Sequence, residues 1–175
     1  MRKLSLEIKW AVIFTVMMLL WMLMEKLGGL YSTRIDLHAI VTNFITIPAI
    51  AIYVFALLEK RKKDYGGYMT YKQGLISGLF ITLFVTILAP LVQYLTTTYI
   101  APEYFPNMIQ HSVATGHFTQ PQAEAYFNLK SYIAQVLVGT PVMGIITTVI
   151  VAVFTRRSRK TTPAQKELVE QIIIG

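Results

Sequence analysis

The chain of 175 residues contains no cysteine. Disulfide bonds, thiolate nucleophiles and cysteine-ligated zinc or iron–sulfur sites are therefore excluded. Familiar catalytic and phosphate-binding motifs are also missing, because the sequence has no H-E-x-x-H, G-x-S-x-G, G-x-G-x-x-G or phosphate loop. We therefore expect no enzymatic activity and no cofactor.

Charged residues are scarce: they make up 14% of the chain, while hydrophobic residues make up 54%. Soluble proteins carry about 25% charged residues, so water is a poor solvent for this chain. The apolar residues form long runs, and about 20 consecutive apolar residues let a helix cross a hydrocarbon core roughly 30 Å thick. The composition thus predicts an all-α fold, a polytopic membrane bundle of about four transmembrane helices.

Four apolar runs are long enough to cross a bilayer, the first of them only if apolar residues before Trp10 extend it. They define a transmembrane domain over residues 1–160, with spans at about 7–27, 37–58, 74–95 and 132–154 and an outer loop at 96–131. Pro48, Pro90 and Pro141 lie inside three of these runs, where proline removes a backbone N–H and clashes with the preceding turn. We predict a kink at each, or at Pro90 the end of the regular helix.

Two segments outside the spans carry signals for the start of a helix. In the outer loop, Thr119, Pro121 and Gln122 fit a capping box with an early proline, so a helix is expected to begin there and to continue into the fourth span. Residues 161–175 open with a similar Thr-Pro-x-Gln pattern and place apolar and charged residues on opposite faces. This short amphipathic tail helix is expected on the cytoplasmic membrane surface or on a partner.

Basic residues are distributed unevenly between the two sides of the predicted bundle. Of 16 Lys and Arg residues, 13 lie in the N-terminal segment, the loop between the second and third spans, and the tail. Because cytoplasmic segments retain Lys and Arg, both termini are predicted inside and the loop at 96–131 outside. Five tyrosines then fall near the outer interface as a predicted aromatic belt: Tyr31, Tyr94, Tyr99, Tyr104 and Tyr132.

A basic cluster precedes the third span. Lys60, Arg61, Lys62 and Lys63 are candidates for contact with anionic lipid headgroups on the cytoplasmic side, or they serve only to hold the loop inside. The net charge of +7 matches such headgroups, and no recognisable nucleic-acid-binding motif accompanies it. We expect membrane lipid, and no nucleic acid, as a partner.

Small residues interrupt the third and fourth spans. Gly74 and Gly78 have G-x-x-x-G spacing, and Gly139 and Gly144 lie in the central part of the fourth span. Such residues let helix backbones approach closely in a membrane. They are candidate helix-packing positions, within one chain, in a homo-oligomer or against a membrane protein partner.

Histidine and amide side chains occur at four positions inside the predicted spans: His38, Asn43, Gln93 and Gln135. Polar groups in lipid are costly, so they are expected either to form hydrogen bonds between helices or to line a small cavity. The first reading favours a packed bundle, the second a polar path of the kind that a transporter needs.

The predicted outer loop contains two histidines and two glutamates. The H-x5-H spacing of His111 and His117 matches no standard ligand pattern, even with Glu103 and Glu124 nearby. The sequence therefore predicts no metal site.

The segment GGYMTYKQGLISGL, Gly66 to Leu79, combines glycines, aromatic residues and threonine at the start of the third span. With the order of spans and loops from Leu4 to Lys160, it resembles the bacterial membrane family catalogued as domain of unknown function 4199. The resemblance implies a small, multi-pass protein of the bacterial inner membrane with no catalytic residues to assign. We predict a non-enzymatic bundle acting through self-association or a membrane partner; the alternative is a small transporter or channel subunit with a polar path near Asn43, Gln93 and Gln135.

Overall fold

The computed structural model describes residues 4–158, which form seven α-helices joined by short loops. The helices are α1 (Ser5–Leu27), α2 (Ile35–Val41), α3 (Thr46–Asp64), α4 (Tyr71–Leu95), α5 (Tyr104–Ala114), α6 (Gln120–Tyr126) and α7 (Leu129–Thr155). A 3-10 turn, Thr42–Ile45, joins α2 to α3, and a π-helical turn, Thr96–Ile100, extends α4. The tail helix predicted for residues 161–175 lies outside the described residues.

Four helical stretches are long and apolar enough to cross a membrane: Ser5–Leu27, Ile35–Asp64, Tyr71–Ile100 and Leu129–Thr155. The predicted all-α, four-span membrane bundle is thus confirmed. Large apolar side chains cover its outer surface, with Leu27 and Phe154 each 80% exposed. Such a surface suits lipid tails as its solvent.

The first span and α3 are joined at one end of the bundle by ion pairs. Lys60 lies 2.8 Å from Glu7 and 2.5 Å from Asp64, and Lys9 lies 2.7 Å from Glu59. We call this end, which holds residues 4–10 and 59–70 together with 155–158, the basic end. The opposite end, with residues 28–34 and 101–128, is called the cap end.

The end of α7 is fastened to the same basic end by backbone contacts. Arg61 donates to the carbonyl of Thr155 over 2.8 Å. Met69 and Arg157 exchange two backbone hydrogen bonds of 3.0 and 2.8 Å. The beginning of α1 and the end of α7 therefore lie at one end, as four crossings require. Which side of the membrane this end faces stays a prediction.

Helices α4 and α7 pack closely through reciprocal pairs of glycine and threonine. A Cβ atom added to Gly78 would collide with Thr148, and one added to Gly144 would collide with Thr82. Thr148 and Thr82 are both buried. Each glycine thus makes room for a threonine of the other helix, which brings the two backbones together.

The cap end departs from one expectation. Helix α6 begins where the capping box predicts, since the Thr119 N–H donates to Oε1 of Gln122 over 3.0 Å. We predicted that this helix continues into the fourth span, but it ends at Tyr126. Asn128 then starts a new helix, because its Oδ1 accepts the N–H of Ser131 over 2.9 Å and so satisfies a donor of the first turn of α7.

The three prolines lie in different helical settings. Pro48 is the third residue of α3, and the helical stretch Ile35–Asp64 continues through it. Pro90 and Pro141 lie inside the unbroken helices α4 and α7. Regular helix therefore continues beyond Pro90 to Leu95, contrary to the expectation that it would end there.

Candidate functional site

A cavity of about 220 Å³ lies inside the bundle near the cap end. Of the predicted polar residues, His38, Gln93 and Gln135 line it together. Asn43 does not, because it lies on the exposed side of the 3-10 turn and donates to the carbonyl of Ala39 over 2.6 Å. The structure thus brings together three of the four polar residues singled out in the sequence.

A buried carboxylate lies behind two residues that line this cavity, Tyr31 and His38. Glu25 is 2% exposed and accepts hydrogen bonds from Trp21 Nε1 over 2.7 Å and from the Tyr31 hydroxyl over 2.6 Å. The Nε2 atom of His38 lies 3.8 Å from the same carboxylate. Two aromatic donors therefore compensate much of the cost of burying Glu25.

Tyrosines that the sequence suggested for an interfacial belt instead surround the cavity. Tyr31 and Tyr104 are buried, with ring centroids 5.0 Å apart in an edge-to-face arrangement. The His38 ring lies 5.3 Å from each of them. By contrast, Tyr94 and Tyr99 are exposed, as a belt requires. The belt prediction was therefore wrong for Tyr31 and Tyr104, because a tertiary pocket gives their rings apolar neighbours and polar partners.

The phenols of this cluster hold their protons strongly. Burial, helped by the hydrogen bond to Glu25, raises the pKa of Tyr31 far above its ordinary value. Burial likewise raises the pKa of Tyr104 to about 12, although its hydrogen bond with Tyr132 acts in the opposite direction. Both hydroxyl groups are therefore proton donors at neutral pH.

One buried side-chain oxygen, in a residue that lines the cavity, has no hydrogen-bond partner among the described residues. Thr96 is buried, and its hydroxyl makes no hydrogen bond to any described residue. The neighbouring Thr97 bonds back to the carbonyl of Gln93 over 3.0 Å, the usual solution for threonine in a helix. A buried, unpaired hydroxyl costs about 1–3 kcal/mol, so a turn of the Thr96 side chain toward an acceptor in the cavity would stabilise the site.

An apolar groove of about 360 Å³ adjoins this cavity and runs between α3 and α7. The cavity and the groove share Gln135 and Val136 as lining residues. Gly139 also lines the groove, and a Cβ atom added to it would meet nothing within 4 Å. Ile50 and Met143, at the edges of the groove, are exposed on the surface that faces lipid. The cavity thus has an apolar outlet toward the membrane interior.

The half of the bundle nearer the basic end is tightly filled. Tyr53, Ala56, Leu57 and Ile81 are each at most 3% exposed. The Tyr53 hydroxyl lies 2.8 Å from Oγ1 of Thr82, which joins α3 to α4 across this layer. Packed side chains therefore separate the cavity from the basic end.

The predicted helix-packing glycines have two different surroundings. Gly74, Gly78 and Gly144 lie at the crossing of α4 and α7 inside one chain, where a Cβ on Gly74 would lie 3.4 Å from that of Ala152. Gly139 lies on the open side of α7, at the groove.

The four basic residues proposed for headgroup contact are also divided. Lys60 is buried at the ion pairs with Glu7 and Asp64, and Arg61 is bound to the end of α7. Lys62 and Lys63 are exposed, and Lys63 lies 2.7 Å from Glu59. An anionic surface would therefore meet mainly Lys62 and Lys63.

Sequence reasoning missed Glu25, Thr96 and the inward tyrosines. One local signal was available: Trp21 and Glu25 are four residues apart and so share one face of α1. Thr96 carries no such signal, because its environment depends on how the helices are rotated. Within residues 4–158, no group of three or more His, Asp or Glu residues is close enough to hold a metal ion.

Four helices long and apolar enough to cross a membrane define a multi-pass membrane helical bundle, with a cavity at one end. The family described as "Protein of unknown function (DUF4199)" matches residues 9–157, and the chain belongs to that family. The family membership predicted from Gly66 to Leu79 and the order of spans is thereby confirmed. No curated protein and no solved structure matches the chain.

Proposed function

We propose that this protein is a non-enzymatic, multi-pass protein of the bacterial inner membrane that binds a partner molecule from the membrane in its cavity. The observation that carries the proposal is the buried Thr96 hydroxyl in the cavity wall, which lacks a partner among the described residues. Buried polar groups without a partner are rare, and they point to a bound molecule or to a functional role. Here the unpaired group lies in a cavity with a lateral apolar outlet.

Binding is favoured over catalysis by the surroundings of His38. A catalytic histidine needs a nucleophile or substrate proton within hydrogen-bond reach, about 2.6–3.2 Å. The His38 ring makes no hydrogen bond to a described residue, and its contact with Glu25 is 3.8 Å long. This arrangement supports a binding role for the imidazole.

Self-association and transport have less support. Three of the four candidate packing glycines, Gly74, Gly78 and Gly144, are occupied by contacts within the chain. A transport path would have to pass the filled layer around Tyr53 and Leu57. Both functions stay predictions, and binding of a molecule from the membrane accounts for more of the cavity's features.

Native mass spectrometry of the protein, purified from bacterial membranes in a mild detergent, tests the proposal. We expect the wild type to retain one class of bound amphiphile, and Thr96→Val and Gln93→Leu to lose most of it. Thr97→Val is the matched control, since Thr97 is adjacent but bonds back to its own helix. Equal retention by all four proteins, or no bound amphiphile in any, would remove the proposal.

A further inference from the structure

We propose that the molecule bound in the cavity is a neutral amphiphile with a flat, carbonyl-bearing head and a single apolar chain, which is the chemistry of an isoprenoid quinone. The inference rests on the proposed binding function and specifies its ligand. The head would occupy the cavity beside its polar side chains, and the chain would leave through the groove between α3 and α7. Binding alone is proposed, with no electron transfer.

The charge of the cavity disfavours an anionic head. No Lys or Arg within residues 4–158 lines it, and the buried carboxylate of Glu25 contacts two of its lining residues, Tyr31 and His38. A phosphate or a fatty-acid carboxylate would therefore be desolvated without a cation and repelled by Glu25. A neutral head avoids both costs.

Some polar groups in the wall are unused donors, whereas the Tyr31 hydroxyl and the Gln135 amide already donate to Glu25 and Ser131. The Thr96 hydroxyl and the Gln93 amide make no hydrogen bond to the described residues. Tyr104 and Tyr132 place their hydroxyl oxygens 3.1 Å apart, so whichever one donates leaves the proton of the other available. Donors of this kind require acceptors, and a carbonyl oxygen is an acceptor that carries no charge.

The shape of the cavity suits a ring. The ring centroids of Tyr31, His38 and Tyr104 lie 5.0–5.3 Å from one another, and all three residues line the cavity, with Tyr31 and Tyr104 themselves buried. Aromatic faces pack favourably against another flat ring. At about 220 Å³, the cavity accommodates a small ring head rather than a sugar chain or a peptide.

The groove supplies a place for one chain. Its lining is mainly apolar, and Gly139 leaves open space where any other residue would project a side chain. Gln135 and Val136 lie at the junction of groove and cavity, so a head in one and a chain in the other are connected.

The two tryptophans permit a direct test, because quinones quench indole fluorescence. Trp21 is bonded to Glu25 beside the cavity, whereas Trp10 is bonded to Glu59 at the basic end. The protein would be reconstituted in uncharged phosphatidylcholine nanodiscs and titrated with a short-chain ubiquinone or menaquinone. We expect saturable quenching of Trp21 in the Trp10→Phe variant, and only the gradual, unsaturated quenching of dissolved quinone for Trp10 in the Trp21→Phe variant.

Two further substitutions in the Trp10→Phe background test the placement of head and chain. Gly139→Leu places a side chain in the groove, and its Cβ atom would meet no other atom within 4 Å. We expect it to weaken binding roughly ten-fold or more. Thr96→Val removes one donor, and we expect roughly three- to ten-fold weaker binding. Val138→Leu, at a neighbouring lipid-facing position 67% exposed, is the matched control and should bind as before.

The outcomes separate this inference from the function on which it rests. Unsaturated quenching of Trp21, or equal binding by Gly139→Leu and Val138→Leu, would overturn the quinone assignment. If native mass spectrometry then still shows another amphiphile that Thr96→Val loses, the binding function stands with a different ligand. If it shows none, both proposals fall together.

Discussion

The ammonium group of Lys60 lies 2.8 Å from the carboxylate of Glu7, although both side chains are almost completely buried. The pair joins the beginning of α1 to the end of α3, and Asp64 approaches the same ammonium group. Lys60, although it belongs to the basic cluster, therefore forms buried ion pairs that join two helices.

Replacing this lysine is expected to destabilise the bundle. Lys60→Met would break the buried ion pair with Glu7, and breaking such a pair typically costs about 3–5 kcal/mol. For a chain of this size, that predicts a fall in the thermal midpoint on the order of 10 °C in detergent. Lys62→Met, at the exposed neighbour, should melt like the wild type, and equal midpoints for both variants would contradict a structural role for the pair.

At the crossing of α4 and α7, enlarging a glycine of one helix is expected to cause a steric clash. Shortening the facing threonine of the other helix should relieve it. Gly78→Ala places a methyl group against Thr148, and we expect a loss of about 1–3 kcal/mol in the free energy of unfolding. Adding Thr148→Gly in the same chain should restore much of that loss. Gly139→Ala, which meets open space, is the control. Thermal melting is the measurement, and a Gly78→Ala variant as stable as Gly139→Ala would show that the helices do not cross here.

Because of Tyr104, the free energy of unfolding is expected to depend on pH in the alkaline range. Its pKa is about 12 in the folded protein, against about 10 for an exposed tyrosine. Between these values the folded state binds more protons than the unfolded state, so stability falls as pH rises, by up to about 1.4 kcal/mol per pH unit for this one group.

We therefore expect the thermal midpoint to fall between pH 10 and pH 12 by less in Tyr104→Phe than in the wild type. Tyr99→Phe is a suitable control, because Tyr99 is 68% exposed. The same slope in all three proteins would mean that Tyr104 is not buried in the way described.

Membrane orientation can be tested directly because the chain has no cysteine of its own. Single cysteines at Lys62 and Gln110 occupy exposed positions at the basic and cap ends. From the distribution of Lys and Arg we expect an impermeant thiol reagent to label position 110 in intact cells and position 62 only after lysis. The reverse pattern would invert the orientation but leave the four-span fold unchanged.

The number of spans was predictable because it depends on local composition. Apolar runs near Leu37 and Gly74 are long enough to cross lipid whatever they pack against. The start of α6 was predictable for the same reason, since the capping contacts of Thr119 and Gln122 are three residues apart. The break at Asn128 was not predictable from composition, which favours a continuous helix there. The Asn128 side chain instead accepts the backbone N–H of Ser131 and so starts a new helix.

The sequence by itself determined the class of protein, the four crossings and the family, since each follows from run lengths, capping residues and a local motif. Only the tertiary structure decided which way each helix is turned. That rotation places Glu25 against Tyr31, leaves Thr96 facing a cavity, and points Gly78 at Thr148 but Gly139 at open space. In a chain whose surface and interior are both apolar, hydrophobic patterning barely distinguishes the two, so packing between helices sets the rotation and with it the candidate site.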